Sequence, residues 1–403
     1  MVCDQKDVLC IERNDLGSDG AEVITNALRE NIILRTLELS NNNLGADEAQ
    51  RIALALHENT TLHKLVLVEN QLGDDGAWEI ANALCVNTTL CKLDLGNNDI
   101  GDDGAHAIAE ALSGVNSTLQ TLNLQSNLIT YVGASEIAYA LRVNSTLRTL
   151  ELGYNEIGDK GVREIADASR VNTTLRTLAL ADNGIEDDGA QAIAELLRVN
   201  TTLQVLDLTC NRVGADGAQE IANALGVNTT LYTLELGFNS VGADGAWAIA
   251  SMLRVNTTLR TLGFGLNNIG DDGALAIAKA LCVNSTLRDL RLRKNDVGTY
   301  GATAIADALD KNSTLLTLDL RNNNVGDDGA MAIANALLVN STLHTLVLYG
   351  NNVGDDGVRA IADALRVNST LQNLDLRLND MRDDVQKILS QSWGGNRVGS
   401  LNF

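Results

Sequence analysis

Proline is absent from all 403 residues. Every residue therefore keeps its backbone donor, which suits a chain built from many tight turns. The signatures of common catalytic sites are missing too. There is no Gly-Lys pair for a phosphate loop, and no HExxH, CxxC or GxSxG. The four histidines (His57, His63, His106, His344) are not joined by a cysteine or third histidine at ligand spacing. Gly263-Phe264-Gly265 is only a fragment of a dinucleotide fingerprint and falls inside a strand position. No enzyme activity, cofactor or metal is expected.

The six cysteines (Cys3, Cys10, Cys85, Cys91, Cys210, Cys282) have no paired spacing. Cys85 and Cys282 share one helix-end register, so they read as small buried side chains in a reducing compartment, and the cytoplasm is the expected location. Met1-Val2-Cys3-Asp4-Gln5-Lys6 is polar with no apolar run behind it, so no signal peptide is expected. No stretch approaches the ~20 apolar residues of a membrane span. Basic residues number 30 against 52 acidic ones, a net charge of −22. That balance argues against a nucleic-acid groove or an anionic membrane surface and suits a protein partner with a basic face.

What the chain does have is repetition. Thirteen copies of a 28-residue unit open on Leu34, Leu62, Leu90, Leu119, Leu147, Leu175, Leu203, Leu231, Leu259, Leu287, Leu315, Leu343 and Leu371, with one interval of 29 at Gly114. A shorter fourteenth copy precedes them (Leu9, Ile11, Asn14, Leu16, Gly17). A fixed period of this length predicts a solenoid. In residues 62–89, Leu65 and Leu67 alternate with Lys64, Val66 and Val68, predicting a strand of ~5 residues with the leucines inward. Asn70 follows where the chain leaves the strand, and its recurrence predicts an asparagine ladder satisfying turn amides. Gly73-Asp74-Asp75-Gly76 then starts a helix of ~10 residues, the aspartates capping it. Ala77, Ile80, Ala81 and Leu84 form its narrow apolar stripe, with alanines allowing close approach to the sheet. The Asp-Asp-Gly turns lack the alternating oxygen ligands of a calcium loop. Twelve Asn-x-Ser/Thr triplets, Asn59-Thr60-Thr61 to Asn368-Ser369-Thr370, recur in one phase, so they are expected to end the helix and bond the turn.

Strands stack at ~4.8 Å whereas helices prefer roughly 8–10 Å, so the sheet should line the concave face of a horseshoe and the helices its convex face. The expected organisation is one domain over 1–403. Residues 1–33 form a partial capping repeat, 34–370 twelve regular repeats, and 371–403 a divergent last repeat and cap. In that cap Leu401-Asn402-Phe403 supplies a last short strand. The thinner N-terminal cap leaves that edge as the place for end-to-end association.

The Leu-x-x-Leu-x-Leu-x-x-Asn-x-Ile core, the period of 28 and the Gly-Ala-x-x-Ile-Ala-x-Ala-Leu helix resemble ribonuclease-inhibitor-type leucine-rich repeats. Similar repeats occur in ribonuclease inhibitor, NOD-like receptors and Ran GTPase-activating protein. The resemblance implies an α/β solenoid of about 14 β-α repeats. It implies three functions in turn: a non-catalytic scaffold gripping a protein on its concave face, a GTPase-activating module, or a ligand-sensing domain. The matching residues are all structural, so the variable positions must carry recognition.

Two concave-face groups emerge. Arg291, Arg293, Lys294, Arg321 and Arg377 form a basic ridge beside Tyr349. Tyr154, Asp182, Cys210 and Phe238 occupy the eighth position of four consecutive repeats amid small neighbours. Asp207 and Glu235 complete the candidate partner-binding set, as acidic residues at the fifth position. Aromatic and arginine side chains are the types enriched in binding hot spots. Trp78 and Trp247, with Leu275, share an outer helix position and are expected to lie flat over neighbouring helices.

Overall fold

The computed structural model describes residues 7–114, 116, 118–394 and 399–403. Cys3 and the polar N-terminal hexapeptide lie outside them, as does Gly395. The described residues contain fifteen three-residue strands alternating with fourteen helices of 11–14 residues. The chain divides into two compact units, residues 1–185 with 195–206, and residues 186–194 with 207–403.

In the first unit the strands from Val8–Cys10 to Thr177–Ala179 pair in parallel and in chain order, leucine opposite leucine: Leu9 with Leu37, Leu37 with Leu65, Leu150 with Leu178. In the second, strands from Thr233–Glu235 to Ser400–Asn402 do the same, Leu234 with Leu262 and Leu374 with Leu401. A slip of one residue would turn every leucine to solvent, so the pleat fixes the register. The last strand starts one residue earlier than the sequence suggests. The strands are also shorter than the ~5 residues expected, because the chain leaves the sheet at the asparagine turn.

That turn is the asparagine ladder. Asn70 Nδ2 donates to the carbonyls of Leu39 and Leu67, at 3.0 and 2.9 Å, while its Oδ1 accepts from the amides of Asn42 and Leu44, at 3.0 and 3.1 Å. One amide side chain thus bonds its own turn and that of the preceding repeat. The triplet asparagines form a second ladder at the opposite end of the strands. Asn59 Nδ2 donates to the Leu28 carbonyl at 2.8 Å, and its Oδ1 accepts from the Thr61 and Leu62 amides. These asparagines are extended (Asn59 φ −76°, ψ 127°) rather than left-handed, so they end the helix with the side chain and not with the backbone.

The helix-start aspartates work differently from expectation. Asp74 Oδ1 accepts from the amides of Gly101 and Gly104, at 2.7 and 2.9 Å, which begin the helix of the following repeat. Asp102, Asp187, Asp271 and Asp327 repeat this pattern. Each aspartate therefore caps its neighbour's helix, binding repeat to repeat. The Gly-Ala pair that follows is a helix–helix contact: a Cβ on Gly273 would lie 2.9 Å from the Ala246 Cβ of the previous helix. Glycine is required there because the neighbouring methyl already fills the space.

Candidate functional site

Every repeat turns its chain at the eighth position, directly before the ladder asparagine, and all thirteen of these residues are left-handed, from Asn41 (φ 55°) to Leu378 (φ 55°). Asparagine and glycine adopt this conformation readily, whereas a bulky side chain costs roughly 1–2 kcal/mol. Tyr154 (φ 56°) and Phe238 (φ 57°) hold it nonetheless, with 47% and 41% of their surface exposed. A side chain that is both strained and exposed is not there for packing.

The eighth-position group falls on both units. In the first, Tyr154 and Asp182 are exposed turn residues. The sheet there presents carboxylates: Glu38, Asp94 and Glu151, with Asn123 between the last two strands. Glu38 is satisfied, accepting from the Cys10 thiol at 3.0 Å and the Lys64 ammonium at 2.6 Å, and both hold its pKa low. Burial pushes the Asp94 carboxyl up, and it pushes Glu151 up as well, with the Asp94 charge adding to it. These two carboxylates have no ion-pair partner among the described residues. Asp94 and Glu151 were not singled out in the sequence, where they are two among many acidic fifth positions.

In the second unit a depression of about 360 Å³ opens on the sheet face. Its lining includes Phe238, Glu235, Arg291, Arg293, Asp319 and Arg321, over a floor of Gly263 and Gly265. The floor exists because these two positions lack side chains. A Cβ on Gly263 would sit on the Glu235 carboxylate, and one on Gly265 would lie 2.5 Å from Arg293 Cγ. Between them Phe264 turns inward and is fully buried where other repeats have leucine. The Gly-Phe-Gly signal was visible in the sequence, but its meaning required the register that puts Glu235 beside Gly263.

The basic ridge is largely neutralised within its own sheet. Arg291 reaches Glu235 at 3.1 Å and Asp289 at 2.6 Å, Arg321 reaches Asp319 at 2.9 Å, and Arg377 reaches Asp375 at 2.7 Å. Burial pushes the Glu235 carboxyl up despite the opposing Arg291 charge. For Asp375 burial acts the same way, but the arginines outweigh it and its pKa falls. Asp289, two residues after the repeat-opening Leu287, was not singled out in the sequence. Arg293 has no carboxylate partner among the described residues; its guanidinium lies over the Phe238 ring, 4.8 Å from the centroid. Arg377 lies over Tyr349 in the same way, at 5.6 Å. Lys294 is exposed in a left-handed turn without an ion pair, and Asp207 is taken up by the Thr209 amide at 2.8 Å. Cys210 sits in the turn behind it.

On the helical side, Trp78 and Trp247 are exposed, and the Lys279 ammonium of the following helix lies 5.5 Å from the Trp247 ring. Among the described residues no group of histidine, cysteine or acidic side chains could hold a metal, no helix is long and apolar enough to cross a membrane, and no disulfide forms.

No curated protein sequence matches this chain. Among solved structures it is similar to an internalin (inlF) of Listeria monocytogenes, at 20% identity over 93% of each chain with a TM-score of 0.57. It is also similar to a chain of the Rad7–Elc1 complex of yeast, at 17% identity over 96% of this chain and 90% of that one, TM-score 0.55. A third likeness is to a chain of the TLR13–ssRNA13 complex, at 16% identity over 93% of this chain and 50% of that one, TM-score 0.53. At such identities the likeness is one of fold. The Leucine Rich repeat family model matches eleven segments from 58–81 to 339–362, which together make up more than half the chain. The chain belongs to the leucine-rich repeat family.

Proposed function

We propose that this chain is a non-catalytic protein-binding scaffold that takes its partner on the open, concave face of the sheet. The observation that carries the reading is Phe238: a left-handed phenylalanine, exposed, covered only by a guanidinium, beside a glycine-floored depression. In the free protein the ring is partly exposed beside the Arg293 guanidinium, and an inserted partner side chain would bury it. The paired arginines and carboxylates around it orient rather than attract, since their charges already cancel. In the first unit, Tyr154 and the unpaired Asp94 and Glu151 suit a basic partner residue, whose arrival would return their pKa values toward the ordinary range. The yeast neighbour in a complex with Elc1 is consistent with this use of the fold.

The test is a paired capture from lysate at low and moderate salt. Wild type is set beside a chain carrying Tyr154→Asn, Phe238→Asn, Arg293→Glu and Arg321→Glu, both verified as folded by circular dichroism. Asparagine keeps the left-handed turn while removing the ring. A protein retained by wild type and lost by the variant supports the reading. Identical bound sets would overturn it and direct attention to Trp78, Trp247 and the helical side.

A further inference from the structure

The edge where helices end and strands begin carries a feature unrelated to the sheet face. In the second unit a depression of about 390 Å³ is lined by Thr257, Arg260, Ser285, Thr286, Arg288, Ser313, Thr314 and Leu316. No acidic residue lines it, in a chain of net charge −22. The hydroxyls of Thr258, Thr286 and Thr314 are engaged with the triplet asparagines. Those of Thr257, Ser285 and Ser313, one residue earlier in each repeat, have no protein partner among the described residues. Among the described residues the guanidiniums of Arg260 and Arg288 have none either, although their strands are neighbours and the Arg288 amide donates to the Arg260 carbonyl at 2.8 Å. Both arginines line the one depression, so their charges add there.

We infer that this depression binds a phosphoryl group presented by a phosphorylated segment of a partner protein. Two planar guanidiniums and three free hydroxyls supply the donors that tetrahedral phosphate oxygens require. The chain's overall charge opposes a long polyanion. Asp289, the carboxylate next to Arg288 in sequence, is taken up by Arg291 on the sheet face. In the first unit Arg148 and Arg176 occupy the same register position on adjacent strands.

The full chain is titrated with a phosphoserine peptide, its unphosphorylated form, inorganic phosphate and a single-stranded RNA oligonucleotide, following the arginine Nε–H resonances. Arg260 and Arg288 are expected to shift saturably with the phosphopeptide, with a Kd of about 1 mM or below. The unphosphorylated form should leave them unmoved. In Arg260→Gln with Arg288→Gln, affinity should fall at least about tenfold, as loss of charge-assisted bonds requires; Arg163→Gln, at an exposed position of the helix Gly158–Val171, should bind unchanged. Inorganic phosphate moving the same resonances as strongly as the peptide would retain the oxyanion chemistry but overturn the protein partner. Preferential binding of RNA, or no saturable shift with any phosphate, overturns the proposal. The sheet-face reading stands or falls separately.

Discussion

Replacing Asn323 by alanine isolates what the asparagine ladder contributes. Asn323 Nδ2 donates to the carbonyls of Leu292 and Leu320, at 3.0 and 2.8 Å, and its Oδ1 accepts from the amides of Asn295 and Val297, at 2.9 and 3.0 Å. The residue is buried, so water replaces these bonds poorly. Truncation leaves two buried amides without an acceptor, each costing roughly 1–3 kcal/mol, so the expected loss is about 4 kcal/mol. The adjacent Asn324 is exposed, and its Oδ1 accepts only from Asn352 Nδ2 at 2.8 Å. Asn324→Ala should therefore cost no more than about 0.5 kcal/mol. Urea unfolding compares the two variants, and native-state hydrogen exchange at Asn295 and Val297 locates the effect, since a repeat array opens locally. Equal effects of Asn323→Ala and Asn324→Ala would refute the ladder as a source of stability.

Further outcomes follow from the same geometry. Asp271→Ala should cost about 1 kcal/mol, with exchange protection lost at the start of the following helix, Thr299–Leu309, rather than in Gly270–Leu281; loss confined to its own helix would contradict capping between repeats. Phe238→Asn should leave stability within about 1 kcal/mol of wild type, because relief of the left-handed strain offsets loss of the arginine–ring contact. A much larger loss in thermal unfolding would make Phe238 a packing residue. Asp94 and Glu151 have folded pKa values above their unfolded ones, so the native state holds protons the unfolded state has released. Their contribution is fully favourable below the ordinary carboxylate range and is lost as pH rises through the folded values. Asp94→Asn with Glu151→Gln should flatten that decline in stability above the ordinary carboxylate range, and an unchanged profile would exclude them as its source. Finally, Asn312 Nδ2 is buried and donates to the Leu281 and Asn284 carbonyls. A folded chain passed through a secretory host should therefore show no glycan mass at this site.

The 28-residue period, the inward leucines, the asparagine ladder of the Asn70 series and the helical stripe were legible in the sequence, because each follows from local spacing repeated thirteen times; that the triplet asparagines form a second ladder was not. The left-handed eighth position was not. Glutamate, tyrosine, phenylalanine and leucine all occupy it, and only the backbone reveals what they share. The aspartate caps were misplaced by one repeat, since sequence adjacency suggests a residue's own helix while stacking brings the next one within 2.7 Å. The basic ridge looked like free charge because Glu235 lies 56 residues from Arg291 in sequence, and parallel register across two strands brings them together. The sequence by itself thus determined the repeating unit and its buried face, because burial and turn chemistry act over a few residues. Which charges remain unpaired, which turns are strained, and where glycines open a depression were decided by tertiary stacking, because those properties depend on neighbours a whole repeat away.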